Sequence, residues 1–576
     1  MLRIVAALAA LAAAAASPMW EKVARAPKHE TLDFTVATPM SNVDGLQAAF
    51  EAVSDPTVEL APVPKYGMFM TKSEINEMTA TPGWMKNEVL TWLQSHGHSC
   101  SARSDSIKCR GSVGAVEKML SARMHTYQHS KTGDLVHQLD GSYTFPASME
   151  GKIDFVSGLS GFPAEHLGRA RALTGGEQFT VPETIVSAYN LQGAKGSSSI
   201  TQAAVEFQGY PAYAQDDLTT FIQQTAVPSF DIVKKVGPFN GNEPQPESTL
   251  DVEYLGAVGG GNTNWYWTEQ GWMLEFAQDL MNAGESGTPD IVSMSYGWSE
   301  EDQCQISPNA PSCGAGGVAG SKAFVARVNA EFAKVGLNGI TLVASSGDSG
   351  AHGRTDPMCQ RATTNPTFPA SSPNVLAVGA TQFDASTITT GGSSPFCQAN
   401  SCKMGGTEIV CSTKTGAAIT SGGGFSNVAS TPSYQSSQVA AYISGPGVPA
   451  AGDFNSTGRG YPDVAALGHA YYIQLNGEAM AVDGTSASAP VMAGMLGLLA
   501  AKKGGKLGHV APLLYKIYEA DNSAFNDVTE GNNFCTESSC DCTTGFKATK
   551  GWDAATGLGS PNHFKMEKAM MKILNL

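Results

Sequence analysis

The stretch Ile340-Thr-Leu-Val-Ala-Ser-Ser-Gly-Asp-Ser-Gly350 joins a short apolar run to a serine- and glycine-rich turn around one acid, Asp348. A short run of this kind, bounded by turn residues, is the pattern of a strand buried on both faces. Ala203-Ala-Val-Glu-Phe207, Ile291-Val-Ser-Met-Ser295 and Val375-Leu-Ala-Val378 read the same way. Helical spacing falls between them, over Asp216 to Thr225, Glu247 to Val258, Trp272 to Asn282 and Lys322 to Val335. Strand–helix alternation predicts an α/β fold with a doubly wound, largely parallel sheet, whose ligands bind at the strand C-terminal ends. Asp348 then stands at the ligand face; read locally, it is equally a turn aspartate capping nearby N–H groups.

The chain has 576 residues, enough for two or three folded units. Its net charge of −16 and low charged fraction of 15% argue against nucleic acid or an anionic membrane as the main partner. Residues 1–16 carry a charged start, a short apolar core and small residues at the end, the pattern of a secretory signal peptide. No later run is long enough to span a bilayer. Residues 17–170 read as an α+β unit, with strand-like Leu32 to Val36 and helical Gly45 to Val53 and Trp84 to Ser95. Residues 171–180, beginning Arg171-Ala-Leu-Thr-Gly-Gly-Glu-Gln178, look like an exposed linker open to processing, and residues 181–576 hold the strand–helix pattern.

In a secreted chain the 11 cysteines read as disulfide material, with at least one left over. Cys100 and Cys109 form a local pair, and Cys304 stands near Cys313. The cluster Cys535, Cys540 and Cys542 lacks zinc-ligand spacing. Asn455-Ser-Thr457 is an acceptor site for N-glycosylation.

A nucleophile is sought at Asp483-Gly-Thr-Ser486-Ala-Ser-Ala-Pro490, where a small-residue turn leads into the apolar run Val491 to Ala500. A serine on the first turn of a buried helix meets unpaired N–H groups and a field that favours developing negative charge. It also needs a base within reach. Beyond the linker only His352, His469, His509 and His563 remain, and none opens a helix; His352, after Gly347-Asp-Ser-Gly350, is the nearest to a candidate. Carboxylates serve better. Glu247 and Asp251 lie four apart on one helix face. Exposed, they are two solvated acids; buried, they force one of the pair to keep a proton, so that Glu247 can act as base and Asp251 as its partner in acid. A protonated Asp348 could donate to an oxyanion beside the Ser486 N–H.

These residues resemble the sedolisins, the serine-carboxyl peptidases. The likeness rests on Glu247-x3-Asp251, Ser-Gly-Asp348-Ser-Gly and Gly-Thr-Ser486-Ala-Ser, and extends over Pro366 to Pro373, Ser421 to Asn427 and Gly460 to Leu467. Phe454-Asn-Ser-Thr-Gly-Arg459 is especially similar to the family's tripeptidyl-peptidase branch, and the region around Met68 to Ile75 is similar to its pro-domain. The resemblance implies a subtilisin-like fold, with Ser486 as nucleophile, Glu247 as base, Asp251 as its partner and Asp348 at the oxyanion. It implies a pro-domain that blocks the cleft until acid triggers its removal, and one structural Ca²⁺ held by Asp527, Asp553 and the carbonyls of Val528, Thr549 and Gly551. Oxygen-only ligation suits that ion. Asp483 stands where the family commonly has serine, a carboxylate placed to shift the pH profile.

The expected protein is an acid-active peptidase made as a zymogen in the secretory pathway, destined for the exterior or a lysosome-like compartment. Its partners are peptides or unfolded proteins and its own pro-domain as inhibitor. It would release tripeptides from free N-termini. An acid endopeptidase, an inactive binding module and a neutral histidine-dependent hydrolase are the alternatives.

Overall fold

The computed structural model describes residues 20–57, 66–129, 133, 135–141, 143–159, 170–207, 212–305 and 317–576. The proposed signal peptide and Cys313 lie outside the described residues. The N-terminal unit is built on a four-stranded antiparallel sheet in the order Ser99–Ala102, Ser106–Ser112, Thr31–Ala37 and Phe155–Ser157. Alternation along Thr31–Ala37 and Ser106–Ser112 turns Phe34, Val36, Ile107 and Cys109 into a small core of their own. Helix α1 (Val43–Ser54) faces the other way.

The larger unit is organised by a sheet with its strands in the order β2 (Ile232–Val236), β3 (Thr263–Glu269), β1 (Thr201–Phe207), β4 (Ile291–Met294), β5 (Thr341–Ser345), β6 (Leu376–Phe383) and β7 (Glu408–Val410). Neighbouring strands run parallel as far as β6, β7 is antiparallel, and β8 (Val464–Leu467) lies parallel along β6. The four runs read as strands from sequence are β1, β4, β5 and β6. The helices read with them include α2 (Pro246–Val258), α3 (Met273–Asn282) and α4 (Gly317–Leu337).

Both faces of the sheet are covered. Ala204, Val343 and Val378 join α2 and α5 (Thr485–Lys503) in one apolar core, while Ala203, Val205, Leu342 and Ala344 join α3 and α4 in another. That second core also takes in Leu46, Phe50 and Val53 of α1. The N-terminal unit therefore docks by merging an apolar helix face with the outer layer of the larger unit.

Polar contacts fix the docking. Arg103 pairs with Asp279 at 2.6 Å, and Lys72 Nζ donates to the carbonyls of Ala283 and Gly284 just past the end of α3. Asp105, 2% exposed, reaches Arg327 at 3.0 Å and Lys334 at 2.9 Å; both cations also hold Glu331.

The segment expected as an exposed linker is tied down at both ends. Arg171–Ala172 pairs antiparallel with β10 (Glu478–Val482), the second strand of a hairpin with β9 (Tyr471–Leu475), and Gln178–Phe179 pairs with Ser401–Cys402. The Arg171 guanidinium closes the intervening turn on Glu177. Ala172 and the tip, Thr174 to Gly176, are exposed, while Phe179 and Thr180 are buried. Backbone pairing with distant strands, invisible in a local polar pattern, accounts for the difference.

Disulfides join Cys100–Cys109, Cys359–Cys542, Cys397–Cys402 and Cys535–Cys540, and Cys304 is also disulfide-bonded. Cys411 is a buried free thiol. Among the described residues no helix is long and apolar enough to cross a membrane.

Candidate active site

Ser486 is the second residue of α5, whose residues from Thr485 to Ala500 are all buried. The helix enters directly from the hairpin strand β10 through Asp483 and Gly484. Pro490 lies inside it. A proline at that place has no N–H for the carbonyl four residues back, which is that of Ser486. Ser295 Oγ lies 3.4 Å from the Ser486 carbonyl and 2.8 Å from Asp251 Oδ1; its single proton favours the shorter contact, so the hydroxyl sits between the two groups. Ser295 directly follows β4, at the strand C-terminal end where ligands were expected.

Helix α2 is buried on nearly every side, its acids included: Glu247 is 4% exposed and Asp251 0%. The reading of two solvated acids is thereby overturned. Burial, then the neighbouring charges of Glu247 and Glu206, drive Asp251 well above the usual carboxylate range. Glu206, on β1, is a third buried acid; burial first, then Glu247, raise it to about 8, while the Tyr296 hydroxyl donates to it at 2.9 Å. Neither Glu206 nor Asp251 is in an ion pair among the described residues, while Glu247 lies within electrostatic reach of the Arg354 guanidinium. The sequence holds a signal for Glu206 that went unread: one acid inside an otherwise apolar strand, Ala203-Ala-Val-Glu-Phe207.

Asp348 comes from the turn after β5, where Gly347 has a φ of +105°, a conformation that side-chain-bearing residues rarely adopt. Its Oδ1 accepts from the Thr485 N–H and Thr485 Oγ1, both at 2.8 Å, and so caps the start of α5. Its Oδ2 faces the guanidinium of Arg354 at 3.3 Å. Arg354 also reaches Glu537 at 3.5 Å, and with Trp298, Ser299, Thr367 and Asp348 it lines the cleft beside the start of α5. Capping and cleft lining thus fall on one acid.

Ser295 links Asp251 to the Ser486 carbonyl, Thr485 ties Asp348 to the start of α5, and Glu247 acts electrostatically on both Asp251 and Arg354. His352 is not available as the base. It is buried, with Nδ1 2.7 Å from Asp356 and Nε2 3.2 Å from the Thr544 carbonyl, so both ring nitrogens are occupied. Asp483 accepts from His469, from the Ala470 N–H and from the Ala418 N–H. These bonds outweigh its burial and bring it down to about 2. It stays charged through the acid range, so it supplies a constant field and no titration there.

The residues expected to hold Ca²⁺ are adjacent in space. Asp527 accepts from the Gly551 N–H at 3.0 Å, which brings it to the loop of Thr549 and Asp553. Asp553 is fully buried and accepts from Thr549, Ala555 and Thr556. Burial raises it to about 7, and no cation is among the groups acting on it. A buried carboxylate without a counter-charge, beside a second acid, fits a hard divalent ion.

Comparison with known proteins agrees with this geometry. Residues 18–162 match the family model "Pro-kumamolisin, activation domain", and residues 256–511 match the model "Subtilase family". Physarolisin of Physarum polycephalum is 37% identical over 562 residues, covering 95% of each chain. The chain belongs to the sedolisin family of serine-carboxyl peptidases. Human tripeptidyl-peptidase 1, another relative, is 32% identical over 585 residues, covering 96% of this chain and 94% of its own. A solved structure, Pseudomonas sedolisin complexed with two molecules of pseudo-iodotyrostatin, matches with a TM-score of 0.52 and 22% identity, covering 69% of this chain and 99% of that one. That likeness speaks for the fold: a subtilisin-like peptidase unit of the sedolisin kind, here preceded by an activation domain. This sedolisin-family chain is a serine peptidase made as a zymogen.

Proposed function

We propose that the enzyme works in acid through an acyl-enzyme on Ser486. The Ser486 hydroxyl oxygen attacks the peptide carbonyl carbon and its proton passes to Glu247. Asp251 carries the proton that the buried acids hold between them and orients Glu247. Asp348, anchored through Oδ1 to Thr485, donates in its protonated form from Oδ2 to the developing oxyanion beside the N-terminus of α5. Glu247 then returns its proton to the departing amine as the C–N bond breaks, and water hydrolyses the acyl-enzyme by the same route reversed. One observation carries this reading: Ser295 joins the acid helix to the backbone of Ser486, beside two buried carboxyl groups raised above their usual range. General bases work best at a pH matched to them, and carboxylates as a class suit acid where imidazoles do not.

Release of tripeptides from free N-termini is the substrate reading supported by the kinship with tripeptidyl-peptidase 1. One feature favours an endopeptidase instead. The only acid among the residues lining the cleft is Asp348, already engaged by Thr485 and Arg354, which leaves no evident carboxylate for a substrate α-amine among the described residues. Acid-processed protein given a peptide and its N-acetylated twin separates the two. Tripeptide release from the free peptide alone is expected, and equal cleavage of the blocked twin would sink the exopeptidase reading.

The activation domain acts as an intramolecular inhibitor of the same chain. One Ca²⁺ is held by Asp527, Asp553 and the carbonyls of Val528, Thr549 and Gly551, and stiffens the C-terminal loops. Repeating the assay after chelation should show a lower thermal midpoint restored by added Ca²⁺; an unchanged midpoint would dismiss the ion. Signal-directed export to the exterior or to a lysosome-like compartment suits an enzyme of this chemistry.

A further inference from the structure

His509 lies where the activation domain meets the peptidase. Its ring is 5.2 Å, centroid to centroid, from Phe50 of α1, tilted by 31°, and 5.9 Å from Tyr434 edge-on. Phe50 belongs to the activation domain; Tyr434 and His509 belong to the peptidase. His509 is 2% exposed, and its Nε2 is buried with no hydrogen-bond partner. A small cavity beside it is lined from α1 by Gln47 and Glu51 and from the peptidase by Asn374 and Pro512. An imidazole with an unpartnered nitrogen, capped by an aromatic ring from the inhibitory domain, is not an evident packing choice.

We infer that His509 is a proton-sensitive release point for the activation domain: α1 docks on the neutral ring and is expelled when the ring takes a proton. This inference rests on the zymogen reading, and on Ser486 only for the choice of an inert background. The surroundings set the direction. Burial, then the positive charge of Arg459, push the docked imidazole down to about 3. The other charged or titratable groups facing it are Tyr434, and Glu51 and Asp55 on α1, which line the same cavity. α4 presents its backbone at Gly336 between Phe50 and His509, while its Lys334 is turned to Asp105 and Glu331. Freed of α1, the ring regains contact with water and titrates near 6.5. The undocked state therefore binds a proton that the docked state refuses. Docking is intact above about pH 6.5 and weakens by up to about tenfold per pH unit as the pH falls from there towards 3.

The contrast with Asp105 sharpens the assignment. Lys334 and Arg327 overcome the burial of Asp105 and hold it below the ordinary carboxylate range, so this contact survives mild acid. The latch at Asp105 keeps the domain attached while the cover at His509 lifts.

The test uses the full-length Ser486→Ala chain, so that no self-cleavage is needed. Amide exchange of residues 43–54, corrected for intrinsic exchange rates, is followed from pH 7 to 3.5. Protection should fall by up to about tenfold per pH unit below about 6.5, and adding His509→Phe should remove most of that dependence. An identical pH dependence in the His509→Phe chain would overturn the proposal. If His509→Phe fails to fold, Phe50→Ala takes its place; it uncovers the docked ring, so docked and undocked forms bind the proton more nearly alike and the pH dependence should flatten, and an undiminished slope is again fatal. Processing of the Ser486→Ala chain in acid would overturn the nucleophile and leave the exchange result standing.

Discussion

Two groups of buried acids flank the central sheet, and they are built on opposite electrostatic terms. On the α4 side, Asp105 and Glu331 share Arg327 and Lys334, so the carboxylates lie in a low-dielectric setting with their counter-ions at 2.8–3.0 Å. On the α2 side, Glu206 and Asp251 are buried with hydroxyl donors and no ion-pair partner among the described residues, and the like charge of Glu247 acts on both. Burial alone raises a carboxyl; burial beside cations lowers it. Asp105 accordingly goes down while Glu206 and Asp251 go up. The first arrangement makes a joint that mild acid leaves intact. The second makes a site that keeps protons where an isolated acid would lose them.

The largest effect expected is at the α2 group. Asp251→Asn keeps the shape and removes the shared proton, and kcat/KM in acid should fall by about 10²- to 10⁴-fold, the range supplied by a general base. Glu247→Gln should match it. Activity within a few fold of the parent in both variants would remove these acids from the chemistry. Breaking the paired group should act on stability instead. Asp105→Asn leaves two buried cations with one carboxylate, and loss of one member of a buried ion pair costs about 3–5 kcal/mol. The cost should appear as a lower unfolding midpoint of the Ser486→Ala zymogen and be absent from the processed enzyme, which no longer carries residue 105. Equal destabilisation of both forms would contradict the interface role.

Much of this was legible in the sequence for a definite reason. β1, β4, β5, β6 and α2 are each encoded by local patterns: an apolar run bounded by turn residues, or apolar residues at helical spacing. The doubly wound, largely parallel sheet follows from their alternation, and its subtilisin-like form is what the family resemblance implies. Glu247 and Asp251 were legible because their spacing places them on one helix. Ser295 and Arg354 were not, because each meets the site only through strand order or a returning loop; Glu206 shows as one acid inside an apolar strand, but strand order alone brings it to the site. Asp105 is subtler still, since its two cations lie more than 200 residues away. The polar tract from Arg171 to Gln178 misled in the opposite sense: its composition is that of a linker, yet both ends are paired into sheets of the peptidase unit.

The smallest effect lies at Glu206, and it tests the comparison most directly because it isolates one proton. Glu206 is raised from 4.5 to about 8 by burial and then by Glu247. The folded protein thus holds a proton that the unfolded chain releases as the pH rises past 4.5. The stability this group contributes is complete below 4.5 and is lost progressively as the pH climbs to about 8, on the order of 1 kcal/mol per pH unit across that window. Glu269 and Glu300, both raised to about 7 chiefly by burial, slope the same way, so the processed enzyme should be steadier in acid than at neutral pH. Asp105 bends the curve the opposite way, but only in the zymogen and only below its ordinary range. Glu206→Gln replaces the protonated acid with a neutral group of the same shape. Unfolding midpoints of the processed enzyme between pH 4 and 8, taken with the peptidase inhibited, should then show a slope shallower by one proton, the variant gaining on the parent as the pH rises. Parallel curves would mean that Glu206 already finds a cation or gives up its proton early, and the distinction between the two buried acid groups would fail at that residue.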